Sequence, residues 1–355
     1  MGTFALTSLS AAKYTLKDDL SHKNFFPNFE LFNGPDPTKG FVQYQSLGQA
    51  IENQYISYIN KSVYLGVDFQ NKTPEGRPSI RVEGTKRYNK GLLVADINHM
   101  PGSICGTWPA MWMFESPWPT MGEIDILEGV NDHAENAVTL HTSSGCMVDN
   151  STSGGEGQKD KYAPFIGTME TSDCDVNAPN QSKNRGCSIK APTVHADPEL
   201  SLPSYGDSFN EAGGGIHAME WTSKSISVWF FPRNGTDSPK DVSDTPDPSQ
   251  WGTPLAKFQG SGCDFEERFK DLKIVFDTTF CGEWAGKKWD KSCAAKTKVA
   301  KCEDYVRDNP EAFTEAYWEI AGLKWFENDE KPSKIKKDQV VHRASSNHKS
   351  RRYNW

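Results

Sequence analysis

Short runs of alternating apolar and polar residues, each closed by turn-forming residues, set the first constraint on this chain. Such runs occupy residues 13–19, 41–44, 63–68, 79–83 and 91–97. A side-chain period of two is that of a strand with one face buried. Gly34-Pro35-Asp36-Pro37 and the stretch from Asn71 to Gly76 supply breaks between them. Residues 216–221 and 225–231 alternate on either side of Thr222-Ser223-Lys224, which predicts a hairpin. Only residues 303–314 carry a short helical pattern, and Asn309-Pro310 interrupts it. Many short strands with few helices predict an all-β sandwich. The 29 glycines and 21 prolines fit a loop-rich chain of that kind, and 355 residues suffice for one large β domain or two ordinary ones. No internal repeat is present.

A formal net charge of −8, with no basic stripe through the body, argues against nucleic acid as a partner. No apolar run approaches the length of a membrane-spanning helix, so no membrane partner is expected. The eight cysteines stand at 105, 146, 174, 187, 263, 281, 293 and 302, without metal-site spacing. An even number scattered through loop-like sequence reads as disulfides formed in an oxidising compartment. Of the pairings, Cys174–Cys187 is the one we expect, closing a short polar loop. Sequons at Asn60, Asn71, Asn150, Asn180 and Asn234 point the same way, to a secreted, extracellular glycoprotein. Residues 1–12 are a leader remnant or a disordered start: Ser10-Ala11-Ala12 resembles a signal-peptidase site, but a basic n-region is missing. Residues 146–214 read as a set of disulfide-tied surface loops. Residues 327–355 read as a basic, disordered tail. The segment 13–326 between the two ends is the expected domain.

One stretch carries chemistry: Gly122-Glu123-Ile124-Asp125-Ile126-Leu127-Glu128-Gly129. In a strand, Glu123 and Asp125 share a face, whereas Glu128, five positions on from Glu123, falls on the other. One extra residue, taken here as Leu127, forms a β-bulge that returns Glu128 to the acidic face. No lysine or arginine lies between Lys90 and Lys159, so the three acids lack local cationic partners. Like charges without partners are costly, which favours a function over a solvated strand face. Trp108, Trp112, Phe114 and Trp118 immediately upstream suit the C–H faces of sugar rings.

The Glu-Ile-Asp-Ile-Leu-Glu run resembles the bulged signature of glycoside hydrolase family 16. Cys105-Gly106-Thr107-Trp108-Pro109-Ala110, Thr139-Leu140-His141-Thr142, Phe280-Cys281-Gly282-Glu283-Trp284-Ala285-Gly286 and Ala316-Tyr317-Trp318-Glu319-Ile320 extend the likeness in order to the fungal endo-β-1,3(4)-glucanase, laminarinase-like branch. The resemblance covers roughly residues 13–326. It implies a concanavalin-like β-jelly-roll with a concave substrate cleft. It implies Glu123 as nucleophile, Glu128 as acid/base, Asp125 between them, and His141 as an auxiliary. Trp112, Trp118 and Trp284 correspond to cleft tryptophans, and Trp108 serves either the cleft or packing. Arg81 corresponds to a cleft arginine. Gln43 stands where relatives tend to have Asn.

The expected activity is retaining hydrolysis of β-1,3- or mixed-linkage β-glucan by a secreted monomer, with no cofactor. Calcium binds the convex face of some relatives, but no acidic loop here calls for it. Two other classes share these features. A transglycosylase uses the same glutamates with a sugar as acceptor, and a glucan-binding lectin needs the aromatics but not three acids.

Overall fold

In the computed structural model the described residues are 14–149, 163–192, 202–235 and 245–328. The leader, the sequon at Asn150 and most of the basic tail lie outside them. Eighteen strands are present among the described residues. The first nine are β1 (Tyr14–Asp19), β2 (Phe29–Leu31), β3 (Val42–Tyr44), β4 (Ile56–Ile59), β5 (Ser62–Leu65), β6 (Arg77–Ser79), β7 (Arg81–Gly84), β8 (Gly91–His99) and β9 (Thr107–Phe114). The rest are β10 (Glu123–Glu128), β11 (Ala137–His141), β12 (Thr168–Thr171), β13 (Cys187–Lys190), β14 (Gly215–Trp221), β15 (Ser225–Pro232), β16 (Ala256–Gln259), β17 (Lys273–Phe280) and β18 (Trp318–Asn328).

They form two antiparallel sheets of eight strands. One runs β16-β15-β14-β8-β18-β5-β4, with β1 on β18; the other runs β12-β13-β11-β10-β9-β17-β7-β2. The predicted hairpin is β14–β15, paired from Gly215↔Pro232 to Trp221↔Ile226. β18 extends to Asn328, so the last strand reaches two residues past the boundary drawn at 326. A small parallel pair, β3–β6, lies outside both sheets.

Alternation explains the layering. Met111, Met113, Ile124, Ile126, Leu140, Ile274 and Phe276 of the second sheet are fully buried, as are Ile97, Met219, Val228, Ile320 and Trp325 of the first. Each such side chain contributes roughly 1.5–3 kcal/mol of transfer free energy. The opposite face of the second sheet therefore carries Phe114, Trp112, Glu123 and Asp125.

Two expectations need correction. Residues 146–214 are not loops throughout, because β12 and β13 extend the edge of the second sheet. The Cys-containing run of β13 pairs with β11 and buries Ile189 and Cys187, and β12 pairs with β13 in turn. The helix expected at 303–314 spans Cys302–Asp308, and Pro310 begins a separate 3-10 turn. Nor is it alone: further short helices include Leu47–Glu52, Gly206–Glu211 and Lys287–Ser292. The first is closed by a capping box between Ser46 and Gln49, a local signal the hydrophobic pattern does not show.

All eight cysteines are paired, as Cys105–Cys293, Cys146–Cys263, Cys174–Cys187 and Cys281–Cys302. The expected Cys174–Cys187 link is among them. Asn60, Asn71, Asn180 and Asn234 are all exposed. Among the described residues no helix is long and apolar enough to cross a membrane.

Candidate active site

The register of β10 decides where its acids point. Against β9 it runs Glu123↔Phe114, Ile124↔Met113, Asp125↔Trp112, then Leu127↔Met111 and Glu128↔Ala110. Ile126 is skipped. The extra residue is therefore Ile126, one position before the expected Leu127, with the same consequence: Glu128 returns to the face of Glu123 and Asp125. Both Ile126 and Leu127 are buried, so apolar character alone does not tell which is inserted.

On the other side of β10, pairing with β11 covers only Glu123↔His141, Ile124↔Leu140 and Asp125↔Thr139. Beyond that point the buried side chain of Asn136 takes over. Its Nδ2 donates to the Ile126 carbonyl at 2.8 Å, and its Oδ1 accepts from the Glu128 N–H at 2.9 Å. Asn136 gave no signal in the sequence beyond that of a turn residue.

Each acid has a distinct partner. The indole Nε1 of Trp108 donates to Glu128 Oε1 at 2.7 Å. The side chain of Trp118, itself well exposed, donates to Glu123. His141 Nε2 stands 3.2 Å from Asp125 Oδ2 and 3.8 Å from Glu123 Oε1. The His141 ring is backed by Gly186, where a Cβ would come within 2.9 Å of Nδ1. Glu123, Asp125 and His141 have donor atoms within 4.8 Å of one another, compact enough to hold a cation. Any ligand atom given to an ion there is withdrawn from proton transfer.

Burial dominates the electrostatics. It pushes Glu123 up to about 8, with the charge of Asp125 adding to the shift. Glu128 is likewise pushed up to about 8 by burial and then by Asp125, against the Trp108 hydrogen bond. Asp125 is held well above the usual carboxylate range by burial and by Asp277. The acids form a coupled set that retains protons at neutral pH. One ionised and one protonated carboxyl side by side is the equipment of acid-assisted nucleophilic displacement.

Asp277 of β17 was not anticipated. It is buried, raised to about 6 by burial, and accepts from Trp112 Nε1 at 2.8 Å and from the Tyr44 hydroxyl at 2.9 Å. A lone acid in the buried strand Lys273–Phe280 was the available signal. It anchors the Trp112 indole. Arg81, opposite Asp277 in the β7–β17 register, pairs with Glu83 at 2.7 Å and has its guanidinium 5.0 Å from the centre of the Trp112 ring. Arg81 is almost wholly buried, on the same face of the sheet as Asp277 and Trp112.

Trp284 sits in a π-helical turn, Gly282–Gly286, edge-on to Trp108 at 5.6 Å. Two disulfides, Cys281–Cys302 and Cys105–Cys293, brace that turn and the helix after it. The buried Asn131 amide also holds the Ala285 carbonyl. Trp108, Trp112, Trp118 and Trp284 thus all belong to the surroundings of the acids. Gln43 is exposed on β3, beside the Tyr44 that reaches Asp277.

A family model described as "XgeA-like, catalytic GH16 domain" matches residues 29–326. An endo-1,3(4)-beta-glucanase of Arthroderma benhamiae is 43% identical over 332 residues, which are 93% of this chain and 68% of that protein. The endo-1,3(4)-beta-glucanase xgeA of Emericella nidulans is 40% identical over 90% of this chain, which spans 48% of that longer protein. Among solved structures, laminarinase 16A from Phanerochaete chrysosporium, a GH16 enzyme with 6-O-glucosyl-laminaritriose in both donor and acceptor sites, superposes with a TM-score of 0.78. It is 36% identical, with 89% of this chain and 100% of that one covered. An elongating family 16 β-1,3-glucosyltransferase gives 0.76 at 42% identity, over 88% of this chain and all of the other.

Proposed function

The chain belongs to glycoside hydrolase family 16, and from that premise we propose that it is a retaining endo-β-glucanase acting on β-1,3- and mixed β-1,3-1,4-linked glucans. The observation that carries the reading is the bulge at Ile126, which sets Glu123, Asp125 and Glu128 on one face among four tryptophans. A lectin has no use for such a set of proton-retaining acids.

In the first step the Glu123 carboxylate attacks the anomeric carbon, while Glu128 gives its proton to the departing glycosidic oxygen. The bond from that carbon to the aglycone breaks as the ester bond to Glu123 forms. Esterification removes the Glu123 charge, so Glu128, now ionised, loses one source of repulsion and has a proton affinity suited to a base. It takes a proton from water, whose oxygen attacks the anomeric carbon and releases Glu123. Two inversions give net retention. Asp125 and His141 hold Glu123 in place and share its charge. Trp118, Trp112, Trp284 and Trp108 offer faces for the sugar rings, with Arg81 and Gln43 at the far end of this surface. No step calls for a cofactor or metal.

Residues 13–326 form the catalytic domain in this reading, and the protein works as an extracellular monomer. The four disulfides support the location, since such bonds form and persist chiefly in an oxidising compartment. The similarity to a family 16 glucosyltransferase favours one further reading, transfer of the glycosyl unit to an acceptor sugar. Hydrolysis of laminarin, lichenan and cellulose by the parent and by Glu123→Ser tests the proposal. The parent cleaves the first or the first two, and the variant cleaves none. Proton NMR before mutarotation should show the β-anomer as first product, and an α-anomer would refute both glutamate roles. Added laminari-oligosaccharide that becomes elongated would place transfer beside hydrolysis.

A further inference from the structure

We infer that Asn136 is a positioning residue for the acid/base: its side-chain amide stands in for a strand and fixes the backbone that aims Glu128. The inference rests on the reading of Glu128 given above. A bulge leaves backbone groups without ladder partners, and buried groups of that kind are costly. Here the β10–β11 ladder ends at Asp125, so the Ile126 carbonyl and the Glu128 N–H lose their partner strand. Asn136 satisfies both, one with a donor and one with an acceptor. An amide carries its donor and its acceptor on separate atoms, so it reaches both groups at once; a carboxylate offers only acceptors, and leucine offers neither.

Asn136 is itself fixed. It is fully buried, its carbonyl accepts from Ala191 N–H at 2.8 Å, and its own N–H reaches Ser204 Oγ at 3.4 Å. The clamp therefore acts on the main chain of Glu128 while Trp108 acts on its carboxylate. Between them they set both ends of the side chain. Loss of the clamp frees the β10 end to relax toward ordinary alternation, which turns Glu128 away from the glycosidic oxygen.

Leaving-group dependence separates positioning of the acid from general weakening of the fold. A dinitrophenolate departs without protonation, whereas a sugar alkoxide needs the acid. Asn136→Ala should lower kcat/KM on laminaripentaose about 100-fold, the scale of general acid catalysis. On a dinitrophenyl β-laminaribioside kcat/KM should change only a few-fold. Sodium azide, which attacks the glycosyl ester without a base, should speed turnover of that aryl substrate by the variant and yield the β-glycosyl azide. Equal losses on the two substrates, or near-parent activity on laminaripentaose, would overturn the inference. Thermal unfolding is followed in parallel. If the alanine variant does not fold, Asn136→Asp, which keeps the shape but not the donor to Ile126, should show the same split, and equal losses in it count equally against the clamp. Failure of the parent to cleave any glucan would strike the proposed function instead.

Discussion

Trp108 and Glu128 are joined by a 2.7 Å hydrogen bond from indole nitrogen to carboxylate oxygen, across the β9–β10 pair. Ala110 lies opposite Glu128, and Trp108 is the next residue of β9 on that face, a diagonal within reach of an aromatic ring. The bond occupies Oε1 and leaves the other oxygen for the substrate. It also favours the ionised carboxylate, and so works against burial and the charge of Asp125.

Trp108→Phe keeps the ring and removes the donor. The Glu128 pKa then rises further above its already elevated value of about 8. A hydrogen bond to a charged group is worth roughly 1.5–3 kcal/mol, so the shift is about one pH unit or more. The alkaline limb of kcat/KM on laminarin, which reports the acid in the free enzyme, should move to higher pH, with a lower plateau. A limb that moves to lower pH would show that Trp108 does not stabilise the ionised form.

Gly186 supports the site from the far side. Its φ is +63°, and a Cβ there would lie 2.3 Å from the Leu140 carbonyl and 2.9 Å from His141 Nδ1. Left-handed backbone alone costs an L-residue roughly 1–2 kcal/mol. Gly186→Ala should lower Tm by several degrees and reduce kcat, as His141 is pushed against Asp125 and Glu123. Loss of stability with unchanged kcat, in a comparison made below the melting range, would remove His141 from the catalytic set.

The sequence made some of this legible and hid the rest for physical reasons. Alternation around Thr222-Ser223-Lys224 foretold the β14–β15 hairpin, because one face of each strand must be buried. The acid spacing foretold a bulge, because Glu123 and Glu128 cannot otherwise share a face. Its place was off by one, since Ile126 and Leu127 are equally apolar and the choice depends on where the partner strand's bonds fall. Asn136, Asn131 and Gly186 were invisible as site residues. Each works through backbone contacts with distant segments, and in one dimension each is an ordinary turn residue. Asp277 was within reach, as the lone acid of an otherwise apolar and hydroxylic strand after Lys273. Arg81, expected among the cleft residues, lies almost wholly buried beside the Trp112 ring on the acid-bearing face.

The Cys174–Cys187 disulfide closes a loop with a sequence separation of 13 residues, which on a chain-entropy account stabilises by about 3 kcal/mol. Cys187 follows Gly186, so the same bond holds the glycine against His141. The double variant Cys174→Ser, Cys187→Ser should lose stability on that scale and lose activity as well. Thiol titration of the denatured, unreduced parent should find no free thiol. Several reactive thiols would contradict the paired arrangement and the oxidising compartment inferred from it.

The last prediction concerns stability against pH. Glu123 and Glu128 are each raised from 4.5 to about 8 in the folded state, first by burial. For an acid raised on folding, the native state binds more protons than the unfolded chain between the two values. Stability therefore falls as pH climbs through that window, by up to about 1.4 kcal/mol per pH unit for each extra proton held. The buried histidines act in the opposite sense at lower pH. His217 is lowered to about 3 and His133 to about 4, chiefly by burial, so the unfolded chain binds the extra protons up to the ordinary value of 6.5. Below pH 6.5 the two effects oppose each other, and between 6.5 and 8 the acids act without that opposition. Calorimetry across this upper window should show Tm of the parent falling with pH. In Glu123→Gln, Glu128→Gln, which has nothing to ionise at either position, the slope should flatten and Tm at pH 8 should exceed that of the parent. An equal slope in parent and double variant would mean that the glutamates hold no excess protons, and that burial does not set their pKa values.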